Sequence, residues 1–260
     1  MLALTLGVAF CFLQPTLLKK GLCLTSAFLG LAVIFLAHVR VLLLLGAGSI
    51  AIYTVVLILQ NHVARVLALV KLGLVISVIG WSIAMSFGGQ SVRDRFASLI
   101  EDDPLTVYDK SQRGTMLKGA FDTLIWEYPL GAGLGRWGMV RKYFGDESNV
   151  ASPSIWAELQ YPAWIIDGGV VLLVCYCVAL IVTATEQLSI ALNSESPRLR
   201  DIAAVVVALS AATIATTFGG VPFVTPQGMQ FWFLAGALYG VWMRGPDQKR
   251  RLRPIAGAMS

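Results

Sequence analysis

Pro162 to Ala184 reads PAWIIDGGVVLLVCYCVALIVTA, an apolar run whose one carboxylate is Asp167. A run of about 17 to 25 such residues crosses a bilayer core as a helix, and helices are what an unclosed chain must use there to satisfy its backbone. Working outward, six further runs of this kind stand at about 1–18, 21–37, 41–60, 65–86, 202–218 and 229–244. The bulk composition agrees: 57% of residues are hydrophobic, 13% are charged and the mean hydropathy is +0.73, whereas about a quarter of a soluble domain is charged. The expected fold is therefore an all-α integral membrane protein with about seven transmembrane helices. Four fall in 1–86 and three in 162–244; a large loop occupies 87–161 and a basic tail 245–260.

The sides follow from the cations. Lys19 and Lys20, His62 and Arg65, Arg198 and Arg200, and the tail Lys249-Arg250-Arg251-Leu252-Arg253 alternate with connections poor in Lys and Arg. The positive-inside rule places those four clusters on the cytoplasmic face, so 87–152, the turn around Arg40 and the uncharged 219–228 connection face outward. The net charge of +5 is thus read as topology and not as a nucleic-acid surface. Met1 to Leu18 lacks a basic leader and a small-residue cleavage site, which makes it a span and not a signal peptide. Cys11, Cys23, Cys175 and Cys177 all lie inside apolar runs without metal-site spacing, and read as buried free thiols.

The outward loop is the one long segment with the polar groups that chemistry requires. Met116, Leu117, Ala120, Leu124 and Ile125 recur at helical spacing, predicting a helix over 113–126. Pro129, Gly131, Gly133, Gly135 and Gly138 end it in turns. A second helix is predicted from Ser152 as N-cap and Pro153 at the first position, through Trp156 and Glu158, with a kink at Tyr161-Pro162. Trp156 and Trp164 suit the outer interface, where aromatic rings collect.

Gly133 to Gly138 spells GxGxxG, but a dinucleotide site needs a strand before it and a βαβ unit around it, which an apolar helical chain lacks. A plain turn and an anion-binding nest flanked by Arg136 and Arg141 both remain open there. Glu101-Asp102-Asp103 beside Pro104 reads as a solvated turn, and His38 and His62 fall on opposite faces, so neither a metal nor another cofactor is expected. Arg40, with His38, sits in a very short outward connection where topology disfavours cations. A phosphate near the headgroup level is a fitting partner for it, and snorkelling to lipid is the alternative. Asp167 lies just inside a span, where ionisable groups face a bundle interior or a wet cavity. Glu158, nine residues earlier and facing the loop, suits a general base.

An outward loop with a central arginine, then WEYPLGAGLGR at 126–136, then a span carrying Asp167-Gly168, resembles the O-antigen ligase and polymerase superfamily. These are bacterial inner-membrane enzymes of the C-type membrane glycosyltransferase architecture. The similarity covers roughly 20–245 and rests on Phe35 to Arg40, Arg113 to Gly135 and Trp156 to Gly169. It implies a metal-independent glycosyltransferase, without cofactor, acting on an undecaprenyl-diphosphate-linked glycan donor at the outer face. The acceptor would be a glycan, a lipid or a protein, and other polysaccharide assembly proteins would be partners besides the lipid bilayer.

Residue by residue, the resemblance gives Arg40 and Arg113 the donor's diphosphate; Arg136, Arg141, His38 and Asp167 are expected as further substrate contacts, Asp167 by orienting a sugar or pairing with an arginine. Family members commonly carry a histidine about nine residues before the acid-glycine pair; this chain has Glu158. The resemblance also implies more spans than seven, so further spans are expected ahead of Met1. An inactive relative, or an accessory subunit of a polysaccharide machine, is the rival reading. A transporter, which would need ionisable groups near mid-membrane, fits less well.

Overall fold

The computed structural model describes residues 2–14, 16–36, 40–75, 78–79, 82, 86, 104–138 and 155–244. Every regular element among them is helical, and the β-type pairing there is a lone parallel bridge between Trp137 and Ile155. The apolar runs become helices at Leu2–Leu13, Leu17–Leu36, Arg40–Leu59, 63–75, Gln160–Asn193, Pro197–Thr216 and Pro226–Arg244. Two of these, Gln160–Asn193 and Pro197–Thr216, are long and apolar enough to cross a bilayer. The first run falls short of the expected 1–18. Its helix has 12 residues, about 18 Å at the α-helical rise, against a hydrocarbon core of about 30 Å.

The chain divides into two compact units. One comprises Met1–Val92, Thr183–Ala212 and Met229–Ser260; the other comprises Arg93–Val182 and Thr213–Gly228.

In the first unit the two N-terminal helices pack with their backbones almost touching. A Cβ on Gly7 would lie 2.6 Å from the Ala27 nitrogen, and one on Gly30 would lie 2.7 Å from the Leu4 nitrogen. Small residues at such crossings are the usual means of bringing two apolar helices together without a hydrophobic drive between them. Thr5 and Ser49 share a buried hydroxyl–hydroxyl bond of 2.7 Å, joining the first helix to the third. The core beneath gathers Leu4, Val8, Tyr53, Leu57, Ile190, Ala204 and Trp242. Gln60 donates its side-chain amide to the carbonyl of Ala191 at 2.8 Å, and Arg65 pairs with Asp201 at 2.5 Å. That ion pair ties the first turn of the 63–75 helix to the start of Pro197–Thr216.

The second unit is built on the N-terminal part of the long helix Gln160–Asn193, up to Val182. Along that helix Val171, Val174, Val178, Ile181 and Val182 are exposed, an uncovered apolar stripe at helical spacing. Cys175 is exposed as well, and of the four thiols Cys11 is the one that is buried, while all four are free. The cysteines therefore depart from the expectation of uniform burial, because an apolar helix that keeps one face open leaves its thiols open too. Trp164 departs in the opposite sense. At 3% exposure it is buried, stacked on Tyr176 with ring centroids 4.6 Å apart, and does not line an outer interface.

Candidate functional site

The helix expected from Ser152 through Glu158 is corrected by the structure where it falls on described residues; Ser152 and Pro153 themselves lie outside them. Residues 155–159 are not helical, and the long helix starts at Gln160. Ile155 is held extended instead, its N–H donating to the Arg136 carbonyl at 3.1 Å and its carbonyl accepting from the Gly138 N–H at 3.3 Å. Pro162 then falls in the first turn of the helix, where its missing N–H has no intrahelical partner to lose, so no kink forms there. Glu158 consequently sits on an extended approach and not on the helix that carries Asp167.

The long helix does break, but at Gly168-Gly169. Gly168 has φ −153 and ψ 19, and Gly169 has φ 65 and ψ −155. A break frees a carbonyl before it and an N–H after it, and buried backbone groups of this kind need partners. The glycine-rich turn supplies both. Ala132 donates its N–H to the Ile166 carbonyl at 2.6 Å, and the Val170 N–H donates to the Pro129 carbonyl at 3.0 Å. Gly131 lies so close that a Cβ there would stand 2.7 Å from the Gly168 Cα. Positive φ at Gly131, Gly133 and Gly135 (88, 103 and 76) lets the turn fold this tightly.

Asp167, the last residue before the break, is taken up by the same turn. Trp137 donates its indole N–H to the carboxylate at 3.0 Å, and the Gly135 backbone N–H donates as well. No arginine pairs with Asp167 among the described residues. Arg136 points back on its own turn, with one guanidinium nitrogen 3.4 Å from the Ala132 carbonyl and a buried Nε that has no partner among the described residues. The Trp137–Asp167 clasp should be measurable. Trp137→Phe is expected to lower the thermal stability of the chain in detergent micelles by about 2 kcal/mol, the worth of a bond to a charged acceptor. Unchanged unfolding would remove the clasp.

A second cluster forms where the loop helix meets the extended approach. Gln112–Gly119 is capped by Ser111, whose hydroxyl accepts from the Gly114 N–H. It continues through a π turn, Ala120–Leu124, to Ile125–Glu127. The predicted loop helix is therefore present, with a π turn of the kind that recurs at functional sites. Arg113 is half-buried on its first turn. One turn later the Met116 sulfur accepts the Glu158 backbone N–H at 3.3 Å, which brings Glu158 to the turn that follows Arg113. The Glu158 carboxylate in turn accepts the Trp156 indole N–H at 3.2 Å.

Tyr108, on the preceding helix Pro104–Lys110, donates its hydroxyl to the Phe218 carbonyl at 2.8 Å. Burial raises its phenol above the ordinary value while the Arg113 charge pulls it down, so the group is a neutral donor at physiological pH. Tyr161, flanked by Phe121, Trp164 and Phe218 with ring centroids 6.4, 5.7 and 5.0 Å away, completes the wall. Its hydroxyl accepts from Thr217 at 3.1 Å. Gln160, buried at the head of the helix, accepts the Phe223 N–H at 3.0 Å and anchors the 217–225 connection.

No family model, curated protein or solved structure matches this chain. What the site can do is therefore decided by its own residues.

Of the residues singled out from the sequence, Glu158 is bonded through its backbone to Met116, three residues after Arg113 on the loop helix, while Asp167 and Arg136 both contact the turn at the helix break. Arg40 is the first residue of the helix Arg40–Leu59. His38 and Arg141 lie outside the described residues, as does Glu101-Asp102-Asp103. Among the described residues no three metal-ligating side chains come together. Tyr108, Trp137, Gln160 and Tyr161 were not singled out from the sequence. Trp137 follows the glycine turn directly and Gln160 heads an apolar run, but their partners are 30 and 63 residues away, and no local pattern announces such a contact.

Proposed function

We propose that this chain is a membrane glycosyltransferase that polymerises or ligates an undecaprenyl-diphosphate-linked oligosaccharide at the outer face of a bacterial inner membrane. On this reading it is a multi-pass protein of about seven spans, a number set by counting apolar runs, with its large loop periplasmic and its tail cytoplasmic. Exposed apolar stripes along the helices support the membrane setting, since water would leave them uncovered at high cost. The observation that carries the proposal is the bond from the Glu158 N–H to Met116, one turn after Arg113 on the loop helix, beside the Tyr161–Phe218 ring pair. A guanidinium suits a diphosphate, a carboxylate suits a hydroxyl proton, and exposed ring faces suit sugars.

The reaction follows from those groups. The acceptor hydroxyl oxygen attacks the anomeric carbon of the donor sugar while the bond from that carbon to the diphosphate oxygen breaks. The diphosphate leaves with the bonding electrons, and Glu158 takes the hydroxyl proton. Arg113 stabilises the charge developing on the leaving group, a role the resemblance also gives Arg40, and this is the largest single contribution expected. Arg113→Ala is accordingly expected to cut transfer by about 10²-fold or more. The assay is polymer or ligated product formed from lipid-linked donor by the chain in proteoliposomes, with membrane insertion unchanged. Normal product from that variant removes Arg113 from the site.

The alternative, an inactive relative or accessory subunit, is favoured by one feature: a glutamate stands where the resembled family carries a histidine. Such a protein would bind lipid diphosphate without turning it over, and the same assay separates the two.

A further inference from the structure

The glycine-rich turn that repairs the helix break carries the most exposed large apolar side chains of its unit. Leu130 is 80% exposed and Leu134 84%, and Trp126 just ahead of the turn is also 80% exposed. From Tyr128 to Gly135 the sequence YPLGAGLG has no charge. The position of the turn is fixed by its backbone: Pro129 and Ala132 are bonded to Val170 and Ile166. Those residues lie 6 to 10 positions into the helix that starts at Gln160, about 9 to 15 Å along its axis. The uncovered apolar stripe of the same helix, Val171 to Val182, begins at that level. Leu130 is thus level with the first side chains of the stripe and not out beyond the helix end.

We infer that Tyr128 to Leu134 is a re-entrant turn whose leucines enter the outer leaflet beside the broken helix, with Glu127 and Trp126 at its headgroup edge. The occupant of this surface is lipid, at the boundary between headgroups and acyl chains. Three features of the turn fit that place. The helix break takes up its Pro129 carbonyl and Ala132 N–H, and at the headgroup boundary its remaining backbone groups meet water. A tryptophan stands at its edge, as at membrane interfaces generally. Arg136, the first cation after it, folds its guanidinium back on the Ala132 carbonyl. This inference rests on the membrane reading above and adds that part of the outward loop is in the bilayer, which would bring the lipid-linked end of a donor to the turn's own edge.

The test uses the intact chain in vesicles of phosphatidylglycerol and phosphatidylethanolamine containing a phospholipid with a photoactivatable diazirine on its acyl chain. Adducts are mapped by peptide mass spectrometry. Gly119 to Arg136 is a single tryptic peptide, so labelling of Leu130 and Leu134 is read directly. The expected result is on the order of ten times more adduct per residue on 128–134 than on Pro104–Lys110, with labelling of the 171–182 stripe as well, since the acyl region excludes polar helices. Labelling of the stripe without the turn overturns the inference and leaves the membrane reading intact; a second copy or another protein covering the turn would give this outcome. Absence of label from both overturns the membrane reading itself.

Discussion

Gly169→Val is expected to destabilise the second unit by about 3 to 5 kcal/mol. At φ 65 and ψ −155 this residue occupies a backbone region that is essentially glycine-only, and holding another residue there costs about 1 to 3 kcal/mol. A Cβ would in addition run into the Pro129 carbonyl. Relief of that clash moves the turn away from the break and loses the Val170 and Ala132 bonds, about 1 kcal/mol each. The sum, about 3 to 5 kcal/mol, is a large share of the 5 to 15 kcal/mol that holds an ordinary domain together. The measurement is the amount of monodisperse protein extracted from membranes and its melting temperature. Gly119→Ala is the control, because that glycine sits in a helix and a Cβ added to it would meet nothing within 4 Å. It should be neutral or slightly stabilising. Equal melting of Gly169→Val and the native chain would mean that the turn does not close the break.

Glu158→Gln is expected to lower the rate of glycosyl transfer by about 10²- to 10⁴-fold, the usual worth of a general base. Donor binding should change little, because glutamine keeps the shape of the side chain and an acceptor oxygen for the Trp156 indole. Glu158→His gives the complementary result: activity returns, since an imidazole can also take the hydroxyl proton. A full-rate Glu158→Gln enzyme assigns the base elsewhere. A dead Glu158→His variant alongside a dead Glu158→Gln variant means that the carboxylate is needed for its charge.

The helices were legible in the sequence because apolar runs are local. Among the described residues a helix falls in each of the seven runs, two of them long and apolar enough to cross a bilayer, and the loop helix falls where Met116, Leu117 and Leu124 predicted it. The break in the long helix was not placed correctly. Pro162 is the stronger local breaker, yet in a first turn it costs nothing, whereas Gly168-Gly169 breaks the helix because a turn 37 residues upstream satisfies what the break exposes. Asp167 was legible as an ionisable group that needs partners, while their identity, Trp137 and Gly135, depends on that same distant turn. Glu158 was legible as a loop-facing carboxylate near the head of a span. Its bond to Met116, one turn after Arg113, joins positions 42 residues apart, and no spacing rule contains that contact.

The repaired break also sets an order of events in synthesis. The stretch Gln160 to Val170 carries an aspartate and a glycine pair near its end, a weak beginning for the long helix left to itself. The turn that completes it, Pro129 to Ala132, has by then already left the ribosome. The loop is therefore a template made in advance: the later segment finds its missing partners waiting. A ribosome that stalls or a chain cut between them would separate a span from the piece that finishes it.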